Sequence, residues 1–441
     1  MKRFRSFSHR LFERAYGTNA YTHLSVVLAN DFLTTDQLEQ LQLIKLRALL
    51  KTCWERSPFY NHQMRKADLY PDDVRRLTDL TKFPTVAKTD IRRALEQGEL
   101  LTRSSKNLMK GQTGGSTGQP LVFYYSKRYR GCSLAYLMRA WHWWGWRPGD
   151  RRVTVWGRHM NVPWTLKSIK DRMIGLSFLE ADKLSNANAI KYLRVIDRVK
   201  PAILEGYVSS LVEIVRIGSK LGIRVQPPGA VVTTAETLFP HDRRVLSDYF
   251  ETEIFDDYGS SEVESIAFEC PTHSGMHVAA DHVILETGDD GRVILTDLDN
   301  HAMPFVRYEN GDAAEWTRRS CPCGRSSPLL ARVLGRQSER VIGPNGNRVH
   351  DVFFAHLLED YGWIERYGVE QFQVVQESLD LFLFRLIVLR QPRINDERIL
   401  TNIMRRFLGD IRVQYEYPTA IPPSAAGKRQ SVISHLSPRQ S

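Results

Sequence analysis

Apolar positions early in the chain recur at helical spacing. Leu38, Leu41, Leu46 and Leu49 follow this period, and Thr34 and Gln37 stand ahead of them at capping-box spacing. Ser57-Pro58-Phe59-Tyr60 is expected to end that helical unit, and a loop with Pro84 and Lys88 follows. Leu121-Val-Phe-Tyr-Tyr125 reads as a strand and residues 130–144 as a helix. Beyond that the period alternates. Short apolar runs at 153–156, 202–207, 230–234 and 253–256 predict strands, and helices are predicted over 209–221 and 240–250. Strands separated by helices imply parallel βαβ units, where ligands collect at the C-terminal strand ends. Thr234-Ala235-Glu236 and Asp257-Tyr258-Gly259 occupy two such ends.

Residues 283–298 predict a hairpin turning at Asp289-Asp290-Gly291. The tail from about residue 337 is strand-rich over 372–389, helical over 395–408 and extended over 413–417. The expected fold is α/β: a large multi-subdomain N-terminal domain with parallel βαβ units, residues 1–335, and a small α+β C-terminal domain, 336–441. A chain of 441 residues is long enough for two or three domains.

Composition narrows the class. With 42% hydrophobic and 25% charged residues the chain is an ordinary globular protein, and no apolar run reaches bilayer length. Met1-Lys2-Arg3-Phe4-Arg5 is basic but leads into no apolar signal core, so a cytoplasmic enzyme is expected. The net charge of +11 is spread along the chain without a zinc-finger, helix-turn-helix or RNP-like pattern. No nucleic-acid partner is expected, and the positive field suits an anionic substrate instead. Phenylalanines and basic residues alternate near Phe4, Phe7, Leu11 and Phe12. A packed helix is preferred there to contact with an anionic membrane, so no membrane partner is expected.

The candidate chemistry starts at Gly111-Gln-Thr-Gly-Gly-Ser-Thr-Gly-Gln-Pro120. Three glycines and four hydroxyl or amide side chains fall within seven residues. Glycine lets backbone N–H groups turn toward one point, and short hydroxyls add donors, so such a loop can cradle a polyphosphate. It lacks the Gly-Lys-Ser/Thr of a P-loop. Further segments follow in order: Tyr258-Gly-Ser-Ser-Glu262, Arg307-Tyr-Glu-Asn-Gly-Asp312, Gly335-Arg336 and Gly427-Lys428. With Ser57–Tyr60, Phe83-Pro-Thr-Val-Ala-Lys88 and Cys321-Pro-Cys-Gly-Arg325, this ordered set resembles the adenylate-forming superfamily. Within it, the set looks like the phenylacetate–CoA ligase-like branch, and the glycine-rich segment is similar to that of its capsular-polysaccharide-type members.

That resemblance implies a set of roles. Thr113, Gly114, Gly115, Ser116, Thr117 and Gly118 would hold the ATP phosphates. Ala235 and Glu236 would line the adenine pocket, with Tyr258 against the purine in the segment formed by Asp257, Gly259, Ser260 and Ser261. Glu262 would coordinate Mg²⁺, Asp312 would accept from the ribose hydroxyls with Arg336 nearby, and Lys428 would bridge carboxylate and α-phosphate. The implied reaction activates a carboxylic acid, plausibly aromatic, as an acyl-adenylate and transfers it to CoA. Transfer to an amine or hydroxyl in polysaccharide assembly, and a degenerate nucleotide-binding or scaffold member, are the alternatives. Two departures stand out: Gln119 where many relatives carry lysine, and Ser338 where many carry the hinge aspartate. The hinge itself is expected at 335–338, and a homodimer is among the open oligomeric states.

Five cysteines are too few for a disulfide scaffold, and Cys53 and Cys132 lie in helix-like apolar stretches as buried thiols. Cys270, Cys321 and Cys323 with His277 would suit a closed structural zinc site if the 283–298 hairpin folds back. His273 competes with His277 as the fourth ligand, and reduced surface thiols are the alternative. His282 and the cluster Trp141, Trp143, Trp144 and Trp146 read more simply as core than as substrate wall.

Overall fold

In a computed structural model, the described residues are 2–113, 120–157, 171, 173–181, 184–336, 340–422 and 430–436. The helices are α1 (Lys2–Tyr16), α2 (Ala20–Ala29), α3 (Thr35–Arg56), α4 (Pro58–Lys66), α5 (Lys88–Glu96), α6 (Lys127–Trp143), α7 (Asn186–Val199), α8 (Val208–Lys220), α9 (Pro240–Phe250), α10 (Asp351–Asp360), α11 (Trp363–Tyr367) and α12 (Ile394–Leu408). The strands are β1 (Met109–Gln112), β2 (Val122–Tyr125), β3 (Arg152–Trp156), β4 (Leu176–Glu180), β5 (Ile203–Tyr207), β6 (Val231–Thr234), β7 (Ile254–Tyr258), β8 (Ala267–Glu269), β9 (Met276–Val278), β10 (Val283–Thr287), β11 (Arg292–Asp297), β12 (Tyr308–Trp316), β13 (Leu329–Arg336), β14 (Arg340–Ile342), β15 (Arg348–His350), β16 (Val369–Gln376), β17 (Leu381–Val388), β18 (Arg412–Glu416) and β19 (Val432–Ser434).

The α/β class is as expected. Eleven strands form one sheet in the order β10-β11-β12-β13-β9-β8-β7-β6-β5-β3-β4. From β4 to β7 the neighbours are parallel, and β7-β8-β9-β13 and β10-β11 are antiparallel. The parallel half is covered on both faces, which is why its strands read as continuous apolar runs. Leu193, Ile196, Leu211, Ile214 and Phe250 of α7, α8 and α9 pack on one face. Trp141, Trp144 and Trp146, with α2 and α6, pack against Ile203, Val232 and Phe255 on the other, so most of the tryptophan cluster is core.

Local signals explain the ends of several elements. Thr34 and Gln37 make the full capping box of α3. Ser57-Pro58 does not simply end that helix. It starts α4, with Pro58 at the first helical position, where a missing N–H is harmless. The 283–298 hairpin forms as predicted, pairing Val283 with Asp297. Several strands went unread, among them β4, which joins β3 in parallel, β12 and β13 of the large sheet, and β19, which joins β16 in parallel.

The chain divides into two compact units, one of Met1–Leu238, Arg243–Asn310 and Ala314–Val333, the other of Phe239–Asp242, Gly311–Ala313 and Leu334–Ser441. The second has its own sheet, β18-β17-β16-β19, and its own core around Phe354, Phe382, Phe384, Leu400 and Met404.

Candidate active site

β1 and β2 form a hairpin whose base is closed by Thr113. Its N–H donates to the Leu121 carbonyl at 2.9 Å, and its Oγ1 accepts from the Leu121 N–H at 2.9 Å. The predicted phosphate-loop residues Gly114, Gly115, Ser116, Thr117 and Gly118, with Gln119, lie outside the described residues, as do Ser338 and Lys428. Beside the base, the Lys88 ammonium donates to Thr113 Oγ1 at 3.4 Å. Sequence reasoning gave Lys88 no role, although it closes the quoted Phe83–Lys88 segment. The segment is not a free loop: Val86 bridges Tyr308, its N–H bonding to the Arg307 carbonyl and its carbonyl accepting from the Glu309 N–H, each at 2.9 Å.

β12 meets the turn after β7. Tyr258 accepts at its hydroxyl from Asn310 Nδ2 at 3.0 Å, and the Tyr308 hydroxyl donates to Glu262 Oε1 at 2.8 Å. Glu262 is buried, only 2% exposed. Ser260 closes the turn between them, its N–H and Oγ both reaching the Val263 carbonyl. Gly259 is close-packed there, since a Cβ would stand 3.2 Å from the Ser265 N–H. Ser261 is exposed. Tyr308 and Asn310 were missed as partners, yet both sit inside the Arg307–Asp312 segment that carried the signal.

Asp257 precedes Tyr258 in β7. Burial, then repulsion from Glu205, Asp256 and Glu264, raises its carboxyl well above the ordinary range. Glu264 is held by Arg130 and Ser133 of α6. At the end of β6, Ala235 has φ +66°, and Glu236 accepts from the Ser209 N–H at 2.7 Å and its Oγ at 2.9 Å. Glu236 therefore caps the first turn of α8, satisfying an N–H that the helix leaves free. Ala235, Ser265 and Arg307 all adopt positive φ, at a cost of roughly 1–3 kcal/mol each where the side chain is not glycine. In the second unit, Arg336 Nε lies 3.1 Å from the Asp312 carboxylate, which is buried in β12.

Four metal-type donors converge elsewhere in the sheet. Single ligand atoms of Cys270, His277, Cys321 and Cys323 all lie within 4.8 Å of one another. Cys270 Sγ is 3.5 Å from Cys321 Sγ, and Cys323 Sγ is 3.3 Å from His277 Nε2. The route is not the expected one. β9 pairs with β13, His277 opposite Leu329, and that pairing brings the 321–323 turn over Cys270, whereas the 283–298 hairpin lies at the far sheet edge. His273 instead pairs with Glu269 at 3.1 Å and stacks on Phe255. Burial, then Arg325, pushes His277 down to about 4, which leaves a neutral imidazole with Nδ1 on Ser327. Three thiols and an imidazole on one point are the donor set of a closed tetrahedral zinc site, so the residues fit that ion. His282 is fully buried between Asp299 at 2.9 Å and the Glu264 carbonyl at 3.0 Å, a satisfied core histidine.

Residues 341–435 match the family described as the CapK C-terminal domain. Along the sequence, the chain is 22% identical to protein CapK of Staphylococcus aureus over 402 residues, covering 86% of this chain and 87% of that protein. It is 25% identical to a phenylacetate-coenzyme A ligase of Aromatoleum evansii over 323 residues, covering 70% and 72%. The chain is thus similar, over most of its length, to the phenylacetate-coenzyme A ligases and to CapK. The resemblance carried by the ordered segments holds for both kinds of relative. The fold of this chain is similar to that of a 2-hydroxyisobutyryl-CoA ligase solved in the postadenylation state with 2-HIB-AMP: TM-score 0.75 at 18% identity, covering 92% of this chain and 91% of that one. No described helix of it is long and apolar enough to cross a membrane.

Proposed function

We propose that this protein activates a carboxylic acid with ATP, forming an acyl-adenylate and pyrophosphate, and then transfers the acyl group to CoA. The observation that carries the reading is the paired bonding of Tyr258 and Glu262 to Asn310 and Tyr308, which fixes two motif segments in one cluster. In this reading Tyr258 presents a ring to the purine, with Ala235, Glu236, Asp257, Gly259, Ser260 and Ser261 shaping the wall around it. Glu262 holds one oxygen on Tyr308 and makes no other hydrogen bond among the described residues, so it offers a hard oxygen ligand suited to Mg²⁺. That ion would neutralise phosphate charge. Lys88 adds a cation beside Thr113 at the base of the loop proposed for the phosphates. Asp312, aligned by Arg336, would receive the ribose hydroxyls, and Lys428 would offset repulsion between the carboxylate and the α-phosphate.

Residues 1–335 would serve as the adenylating domain and 336–441 as a small mobile one. Zinc on Cys270, His277, Cys321 and Cys323 would act structurally, tying β8, β9 and the 321–323 turn. The likeness to phenylacetate-coenzyme A ligases supports an aromatic acid and CoA as its acceptor, and transfer to an amine or hydroxyl is the alternative that product analysis separates.

The test is ATP–pyrophosphate exchange with Mg²⁺ and a panel of acids, followed by product analysis with CoA and with amino sugars. Acid-dependent exchange is expected, and its loss in Lys428→Ala. Absence of exchange with every acid would leave the nucleotide-binding or scaffold alternative, and unchanged exchange in Lys428→Ala would remove that residue from the mechanism.

A further inference from the structure

We propose that α1 docks this protein on an anionic lipid surface, lying flat with its outer face in the headgroup layer. This goes beyond the catalytic reading and does not depend on it. One face of α1 is committed to the protein. Ser8, His9 and Glu13 are buried, His9 Nδ1 meets the Tyr21 hydroxyl at 2.9 Å, Arg5 Nε donates to the Gly149 carbonyl at 2.8 Å, and Lys2 pairs with Asp150 at 2.7 Å. The fit is tight, since a Cβ on Gly149 would fall 2.3 Å from the Lys2 carbonyl oxygen.

The opposite face has no such explanation. Phe4, Phe7 and Leu11, at helical positions i, i+3 and i+7, form a stripe whose members are 62%, 64% and 56% exposed. Arg3, Arg10 and Arg14 run parallel to it and are also exposed. The acid of α1, Glu13, is turned inward, so the outer face is apolar and basic without an exposed carboxylate. Lys2, Arg3, Arg10 and Phe7, with Ser6 and Pro148, line an open recess of about 620 Å³. Apolar side chains beside arginines, on a helix fastened by its other side, are the pattern of an interfacial helix.

Charge and area select the occupant. Three partly exposed apolar side chains offer at most a few hundred Å² on this side, below the roughly 800 Å² per partner of a standard protein interface. A bilayer needs no more than shallow insertion, and an anionic leaflet complements the arginines. That no described helix can span a bilayer leaves this mode of contact untouched.

The experiment is co-sedimentation of the full-length protein with phosphatidylcholine vesicles, with and without about 30 mol% phosphatidylglycerol. Binding should be at least about tenfold stronger to the anionic vesicles and should fall as salt rises from about 0.1 to about 0.5 M. Phe4→Ser/Phe7→Ser/Leu11→Ser and Arg3→Glu/Arg10→Glu/Arg14→Glu should each abolish it, with the Tm held as the check on folding. Equal binding to neutral vesicles, no binding at all, or binding indifferent to either triple variant overturns the proposal. So does sedimentation-velocity evidence that the stripe closes a dimer instead.

Discussion

The turn after β7 and the thiol cluster on β9 lie in one sheet and use their polar atoms in opposite ways. At the thiol cluster, Cys270, His277, Cys321 and Cys323 point at one another within 4.8 Å, so their chemistry is directed inward. At the turn, Tyr258 and Glu262 each hold one partner on β12, and Glu262 Oε2 has none among the described residues. The first arrangement is complete with one small ion. The second leaves Glu262 Oε2 open among the described residues, which suits the ligand-facing role proposed for it. A closed donor set predicts stability effects, and an open one predicts turnover effects.

The sharpest way to break this contrast is Glu262→Gln, which keeps the shape and the Tyr308 bond but removes the charge. ATP–pyrophosphate exchange is expected to fall by about 10²–10³-fold with Tm within a few degrees of the parent. A large Tm loss with normal exchange would invert the assignment. Next in size, Cys321→Ser, or treatment with a zinc chelator, should lower Tm by about 5 °C or more, since 1 kcal/mol corresponds to roughly 2–4 °C in a domain of this size. Exchange measured well below that Tm should survive, and metal analysis of the parent should find about one zinc per chain. A smaller effect is expected from Asn310→Ala. It removes one neutral hydrogen bond on Tyr258, about 1 kcal/mol, so KM for ATP should rise roughly fivefold with kcat little changed.

A separate effect concerns pH. Burial, then the Glu269 carboxylate, pushes Asp256 up to about 7, with Arg243 opposing. The folded state keeps a proton that the unfolded chain, titrating near 4, gives up. Stability from that proton is full below about pH 4 and is lost as the pH rises through about 7. Asp256→Asn should flatten this decline, so calorimetry should show the variant gaining on the parent between about pH 5 and about pH 8. An unchanged pH slope would place the proton elsewhere.

Much of the fold was legible because its signals are local. The α3 capping box, the 283–298 hairpin and the alternation from 153 to 256 depend on neighbours in sequence, and each formed. β4 and β19 were missed because their strand identity comes from long-range partners, β3 and β16. The site divides in the same way. Tyr258, Glu262 and Arg307–Asp312 could be read as segments, but that Tyr308 bonds Glu262 and Asn310 bonds Tyr258 depends on how β12 lies beside β7. The route to the thiol cluster was misjudged because β9–β13 pairing has no local signature. Glu236 looked like a ligand-facing acid, and only the placement of Ser209 shows its capping role.

Val86 has a consequence for how this chain can vary. Because both its backbone groups are tied to residues 307 and 309, Lys88 is indexed to Tyr308 as teeth on two engaged gears. Adding or deleting a single residue between Phe83 and Lys88 would therefore shift the ammonium off Thr113 or break the mesh, although by composition the stretch looks like a connector free to change length.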